Sequence, residues 1–244
     1  MKEYIYSRNA VYETLRAKRR DIFAIEIADT AQEKGKLAEI IQLARELKIK
    51  VSQVPRAKLD KIHDNHQGVV AEVSKYPYSD VVEILEYANS KDEQPFILIL
   101  DSLQDPQNFG TLLRTAEAIG AHGVVIPLAR SVDVTPAVVN ASSGASELML
   151  IAQANLSQTI DALKENEIWV VGLDQSGAEM EAGSRHLRGS IGLVVGSEGD
   201  GLHELIRKKC DILLKLPMRG KIESLNAAVA GSVALYLAYL SRQN

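Results

Sequence analysis

The spacing of apolar residues divides the chain into short alternating elements. Residues 7–17 carry Ala10, Val11, Thr14 and Leu15 at helical intervals, and the β-branched run 22–27 predicts a strand. Thr30, with Glu33 at the capping-box position, predicts a helix that runs to about Leu47 with Leu37, Ile40, Ile41 and Ala44 on one face. Strands are expected at 51–54 and 69–73, the second entered through a turn at Gln67-Gly68. This alternation predicts a compact α/β sandwich. Between 74 and 95 the texture changes, and Pro77 and Pro95 bracket a short amphipathic helix, 81–88, flanked by polar residues. Such a stretch reads as a connector, so the expected plan is a front domain 1–76, a linker 77–94 and a second domain 95–244.

From Phe96 the pattern becomes strand then helix, repeated. Apolar runs recur at 96–100, 123–126, 168–173, 191–195 and 212–216, with helical stretches at 110–119, 156–166, 203–209 and 225–241. Near-continuous apolar strands alternating with helices predict a parallel sheet covered on both faces. Ligands of such sheets bind at the carboxyl ends of the strands, which directs attention to the loops that follow them. The last helix has no charged residue from Leu225 to Ser241. It is rich in Ala, Gly and Ser and shorter than the roughly 20 residues a membrane span needs, so it reads as core with a subunit contact.

Composition narrows this further. The 244 residues include 28 Lys and Arg against 32 Asp and Glu, with 46% hydrophobic and 25% charged residues, the profile of an ordinary globular protein. One cysteine, Cys210, excludes an internal disulfide framework and fits a reducing compartment. The start, MKEYIYSRNA, has no apolar signal region, so a cytoplasmic location is expected. A net charge of −4 argues at first against a nucleic-acid partner. Its distribution changes the picture: residues 1–75 hold 15 basic and 11 acidic side chains, and the remainder 13 and 21. A mildly basic front ahead of an acidic body hints at nucleic-acid contact by the front, and Lys18-Arg19-Arg20 is its most pointed cluster.

Three loops carry candidate chemistry. The first, Asp101 to Gly110, contains Asp105-Pro106 and Asn108 and leads into a helix bearing Arg114, which is expected to face the same loop. The second, Gly196-Ser197-Glu198-Gly199-Asp200-Gly201, follows an apolar strand, and its glycines let backbone amides approach a ligand. The glycine order is not that of a dinucleotide fingerprint and no G-K-[ST] occurs, which disfavours an oxidoreductase or a P-loop. The third, Leu216 to Ala228, leaves a strand and enters the final helix at Ser224, an expected N-cap whose helix terminus could also take an anion. His63 and His66 lack companions for a metal site, and no metal is expected.

In this order, D-x-x-x-D-P-x-N-x-G-x-x-x-R, V-V-G-S-E-G-x-G-L and L-P-M-x-G-x-x-x-S-L-N resemble the three motifs of the SpoU family of RNA ribose 2′-O-methyltransferases. The front domain, with His66-Gln67-Gly68-Val69-Val70-Ala71, is similar to the ribosomal-protein-like RNA-binding domain of members that methylate a guanosine of large-subunit rRNA. The resemblance implies a SPOUT fold with a deep C-terminal trefoil knot, a homodimer, and S-adenosylmethionine held by Leu173, Gly196, Leu216, Met218 and Leu225. It implies catalytic roles for Arg114, Asn108, Glu198, Ser224 and Asn226, and RNA contacts for Arg8, Lys18, Arg19 and Arg20. General rules of chain topology disfavour knots, so the knot follows from the resemblance alone. Two departures stand out: Ser7 occupies a place where relatives often have Gly, and Asn140 one where Lys is common. Rival readings are a tRNA guanosine methyltransferase, a resistance methyltransferase of the same plan, and a non-catalytic RNA-binding protein on the same scaffold.

Overall fold

A computed structural model describes residues 2–129, 131–181, 183–222 and 224–243. The first 77 residues form β1 (Glu3–Tyr6), α1 (Arg8–Ala17), β2 (Ile22–Ala28), α2 (Lys36–Glu46), β3 (Val51–Val54), α3 (Arg56–Asp60) and β4 (Val69–Val73). They are followed by α4 (Val81–Ser90), β5 (Phe96–Asp101), α5 (Pro106–Ala118), β6 (Gly123–Pro127), α6 (Pro136–Ala141), α7 (Ala145–Leu148) and β7 (Leu150–Ala154). The chain closes with α8 (Leu156–Glu165), β8 (Trp169–Glu179), a 3-10 turn (Arg185–Leu187), β9 (Ile191–Gly196), α9 (Glu204–Lys209), β10 (Ile212–Lys215) and α10 (Ala227–Arg242).

These elements gather into two compact units. The first comprises Met1–Pro77 together with Asp133–Leu148, and the second comprises Tyr78–Val132 and Met149–Asn244. The assignment of 133–148 to the first unit departs from the simple succession expected from sequence. The segment 77–94 is likewise no bare linker, because α4 buries Ile84 and Ala88 in the second unit's core.

In the first unit the sheet order is β1-β4-β2-β3, antiparallel except for β2 with β3. Ile5, Ala71 and Ile25 stand in register across it, all fully buried. The opposite face is covered by α3, whose Leu59 packs with Tyr6, Ala28 and Val70. The donated segment is tied in by a buried ion pair. Arg20 Nη2 lies 2.9 Å from Glu147 Oε1, with both side chains fully excluded from solvent. Arg20 also reaches Glu3 at 2.7 Å and the Ser74 carbonyl at 2.9 Å. Gly144, at φ +90, makes room for α1, since a Cβ there would lie 2.6 Å from Glu13 Cβ.

The second unit is the expected parallel sheet, in the order β10-β8-β9-β5-β6-β7. Its two central strands, β5 and β9, are buried along their whole length, which explains their unbroken apolar runs. One face packs Ile97, Ile99, Val125 and Val194 against α4, α8 and α9 through Ile84, Leu156, Ile160, Leu163 and Ile206. The other face carries α5 and α10, which touch through Leu112 and Gly231 and through a 2.9 Å approach of the Thr115 and Ser232 hydroxyls. Successive strands run outward to β6 and β7 on one side of β5 and to β9, β8 and β10 on the other. The reversal between β5 and β9 marks the switch point of the sheet, and sheets of this kind take ligands in the crevice at their carboxyl edge.

Three helix starts differ from expectation, and the first is that of α5, expected at 110 and found at Pro106. The helix predicted from Thr30 begins at Lys36, with Gly35 as its N-cap. Residues 28–31 instead close a turn in which the Ala31 N–H donates to the Ala28 carbonyl at 2.9 Å. The last helix is capped by Asn226 and not by Ser224, the Asn226 Oδ1 accepting from the Ala228 and Val229 N–H groups at 2.9 and 3.2 Å.

Candidate active site

All three loops lie at the crevice, and elementary capping chemistry positions each. Asp105 caps α5, accepting from the N–H groups of Gln107 and Asn108 at 2.7 and 2.8 Å, while Pro106 occupies the first helical position. This fixes Asn108 on the first turn. The second loop doubles back at once: the Ser197 N–H donates to the Gly201 carbonyl at 3.0 Å. A Cβ on Gly196 would lie 2.2 Å from the Gly201 carbonyl carbon, so only glycine allows the two strands of the loop to approach. The third loop ends at the Asn226 cap of α10.

The loops meet at one side chain. Asn108 Nδ2 donates to Glu198 Oε1 at 2.6 Å, and Asn226 Nδ2 donates to Asn108 Oδ1 at 3.1 Å. Three motifs distant in the chain are thereby joined in a relay pinned at both ends by helix caps. Glu198 and Asn226 are exposed and Asn108 half-buried, so the relay faces solvent where a substrate could reach it.

Arg114 lies further along α5 on its exposed side. At 100° per residue it points about 120° around the helix from Asn108, so the two occupy different stripes rather than one face. Ser224 is exposed, two residues before the cap, and takes no part in the relay.

Asp101 stands in the first motif with no role that sequence alone assigns. The structure supplies one. Its buried carboxylate, at the end of β5, accepts from the His203 N–H at 2.7 Å and faces His203 Nδ1 at 2.9 Å. It thus anchors the far end of the glycine loop. The acidic residue ending a wholly apolar strand is the available signal, since a carboxylate is rarely buried without a fixed partner.

The residues expected to hold the cofactor surround the same crevice. Leu173 pairs with Val195 on neighbouring strands, directly before Gly196, and Leu216 follows β10. Beyond it, Met218, Ile222 and Leu225 are large apolar side chains left in solvent. A close-backbone loop beside an apolar rim suits a ligand with a flat apolar ring and polar edges, and the residues fit S-adenosylmethionine. The lone thiol plays no nucleophilic part near neutrality. Cys210 donates to the Ile206 carbonyl at 3.3 Å, and burial pushes its pKa up to about 12.

The basic cluster of the front domain is corrected by the structure. Arg20 is buried against Glu147 and Glu3, so it offers nothing to a phosphate. Arg19 donates to the Tyr76 hydroxyl at 2.8 Å and to the Pro77 carbonyl at 3.0 Å. Lys18 and Arg8 remain outside that core, Lys18 being exposed. His66 is buried with its Nε2 2.9 Å from Asp60, and among the described residues no group of three or more His, Cys, Asp or Glu could hold a metal ion.

Comparison with known proteins places the chain in a family. Residues 95–236 match the model of the SpoU rRNA methylase family, and residues 4–79 match that of the RNA 2′-O ribose methyltransferase substrate-binding domain. YacO of Bacillus subtilis, assigned to the TrmH family of tRNA/rRNA methyltransferases, is 44% identical over 98% of this chain and 96% of its own. Among solved structures, the SpoU methyltransferase AviRb of Streptomyces viridochromogenes, in complex with AdoMet, superposes with a TM-score of 0.80 at 22% identity, covering 98% of this chain and 89% of that one. An AdoMet-bound rRNA methyltransferase of Sinorhizobium meliloti gives 0.76 at 22% identity, covering 97% and 86%. These last two likenesses speak to the fold. The fold and the two matched models define an α/β RNA methyltransferase domain preceded by a substrate-binding domain. The chain belongs to the SpoU family, RNA methyltransferases that act on the ribose 2′-hydroxyl with S-adenosylmethionine as methyl donor.

Proposed function

We propose that this protein methylates the 2′-hydroxyl of a guanosine in large-subunit rRNA, with Arg114, Asn108, Glu198, Ser224 and Asn226 as the reacting centre. The observation that carries the catalytic part is the relay from Asn226 through Asn108 to Glu198, which brings three distant loops to one point. The RNA reading is supported by the substrate-binding domain at residues 4–79, and the choice of rRNA follows the resemblance of that domain to the one carried by members that methylate large-subunit rRNA.

S-adenosylmethionine supplies a methyl group already activated on a sulfonium. The work left to the chain is to hold the ribose oxygen in line and to ease loss of its proton. Leu173, Gly196, Leu216, Met218 and Leu225 hold the donor. Arg114 presents a cation to the 2′-oxygen and the adjacent phosphate. A guanidinium is a fixed cation with donors only, so it acts first by stabilising the charge that develops on that oxygen. The Asn108 relay keeps Glu198 and the first turn of α10 in fixed relation beneath the nucleotide, and the exposed Ser224 hydroxyl adds a further hydrogen bond to it.

Two structural features accompany this reading. α10 turns its small residues inward, burying Ala228, Gly231, Ala234 and Ala238, and leaves Val229, Val233, Tyr236 and Leu240 in solvent. A helix with its large apolar side chains outward fits a second copy of the chain, giving a homodimer. The chain path supports a trefoil knot: β10 is the edge strand, yet α10 packs on α5 across the sheet, and its Arg242 is held by the carbonyls of Gln94, Pro95 and Gly189. Among the described residues no helix is long and apolar enough to cross a membrane.

The test is direct. Arg114→Ala should lower methyl transfer to rRNA by at least about a hundredfold, the range of a missing acid–base or charge-stabilising group, while calorimetric binding of S-adenosylmethionine is retained. Substantial turnover by the variant refutes the role of Arg114. Mapping of ribose methylation in rRNA and tRNA from cells with and without the gene decides the substrate, and loss of a tRNA mark alone overturns the rRNA assignment.

A further inference from the structure

The first unit contains a cavity of about 300 Å³ that plays no part in the chemistry above. Arg8, Thr30, Gln32, Lys34, Arg56 and Gln67 contribute the polar part of its lining. Its floor is the turn at 66–68, and that turn is built rather than accidental. His66, fully buried, accepts the Gly68 N–H at Nδ1 over 2.9 Å, while its Nε2 meets Asp60 at 2.9 Å. This holds Gln67 in the left-handed region at φ 52, a conformation with a cost for a residue bearing a Cβ.

Gln67 in turn orients Arg8. Its Oε1 accepts the Arg8 backbone N–H at 3.1 Å, and its carbonyl accepts Arg8 Nε at 3.1 Å. One guanidinium N–H is thereby committed and the two terminal nitrogens are left to a ligand. Among the described residues, no carboxylate forms an ion pair with Arg8 or with Lys34. Arg56 approaches Asp60 only at 3.6 Å, from an exposed position. Three cations thus line a hollow whose walls carry no acidic side chain.

Such a site selects an anion, and a fork held by a backbone carbonyl suits the paired oxygens of a phosphate. The volume sits at the small-ligand end of binding pockets, too small for a duplex groove. Thr30, Gln32 and Gln67 offer hydrogen bonds suited to a sugar or base edge, and no aromatic ring lines the walls for sequence-blind stacking.

We propose that this cavity takes one unstacked nucleotide of the RNA substrate, its phosphate lying among Arg8, Lys34 and Arg56. The proposal rests on the reading of this protein as an enzyme acting on RNA. It locates the RNA-binding point of the front domain in the Arg8 cavity and away from the 18–20 cluster, whose arginines are engaged within the protein.

The full-length protein carrying Lys34→Glu and Arg56→Glu tests it, since both side chains are exposed and their replacement leaves the core intact. Binding is followed by fluorescence anisotropy against a single-stranded oligoribonucleotide and a blunt RNA duplex of equal length, over a range of salt. The double variant should bind the single strand at least about tenfold more weakly and with a shallower salt dependence, the slope falling by roughly one for each phosphate no longer neutralised. Duplex binding should change far less. Unchanged affinity and slope for the single strand overturn the proposal, as does an equal weakening for the duplex, which would mark a general electrostatic surface. Arg8→Lys, which keeps the charge and removes the fork, provides a second arm and should weaken the single-strand complex without altering the melting temperature. If the wild-type protein methylates no RNA, the functional reading fails by itself. If it does so and the variants keep its KM for rRNA, the cavity assignment alone is refuted.

Discussion

Ser7 holds φ 77 and ψ 149, a region that is almost the preserve of glycine, immediately before Arg8. Its side chain makes no capping hydrogen bond to α1 that would offset the strain. Ser7→Gly should therefore raise stability by about 1 kcal/mol, the strain relieved less the extra entropy glycine gives the unfolded chain. Denaturant unfolding would show it, and a destabilised variant would mean that the Ser7 hydroxyl has a partner that matters. Residue by residue, the sequence is legible where local chemistry decides. Asp105-Pro106 announces a helix cap, and Asn108, Glu198 and Asn226 can be named through the motif resemblance. Their mutual hydrogen bonds cannot, since those depend on bringing loops from three strands together. Arg20 misleads for the same reason: a cation among other cations looks exposed until its partner is known, and Glu147 lies 127 residues away.

At the scale of elements, periodicity locates the long strands and helices and passes over the short ones. β1 and α3 have four and five residues, too few for a period to declare itself. The capping-box signal at Thr30 yields to tertiary context, because 28–31 form a tight turn beside the cavity and the helix waits for Gly35. α10 is the element whose composition is most easily mistaken. Its lack of charge comes from two apolar faces of different grain, one of small residues with Leu235 turned inward and one of Val229, Val233, Tyr236 and Leu240 left outside. Fully burying each large apolar side chain is worth about 1.5–3 kcal/mol, so four of them can hold a dimer together. Val233→Lys should shift the protein toward monomer in sedimentation velocity without lowering its helical content. A variant that remains as associated as the wild type would place the interface elsewhere.

For the whole molecule, the unexpected feature is the loan of residues 133–148 from between two strands of the catalytic sheet to the substrate-binding unit. The chain passes between the units three times, at 77–78, 132–133 and 148–149, where sequence suggests a single passage. Nothing in the segment's composition announces this, because the features that tie it in, the Glu147 carboxylate, the bare Gly144 and the Ser146 carbonyl, meet partners distant in the chain. Glu147→Ala should cost about 3 kcal/mol, by leaving Arg20 buried with only Glu3 to answer its charge. The double variant Glu147→Leu with Arg20→Met should recover most of that deficit in a thermodynamic cycle. If the single change is silent, the ion pair does not hold the segment in place.

The loan also sets a timetable. Residues 1–77 leave the ribosome first, yet the unit they belong to lacks a helix pair and the counter-ion of Arg20 until Leu148 has been made. At ordinary elongation rates that interval lasts roughly ten seconds, during which the nascent front half has Glu3 alone to answer its interior cation. The usual order of domain maturation is therefore inverted in part. The amino-terminal unit is begun first, but it can be completed only after the first strands of the catalytic sheet have been synthesised.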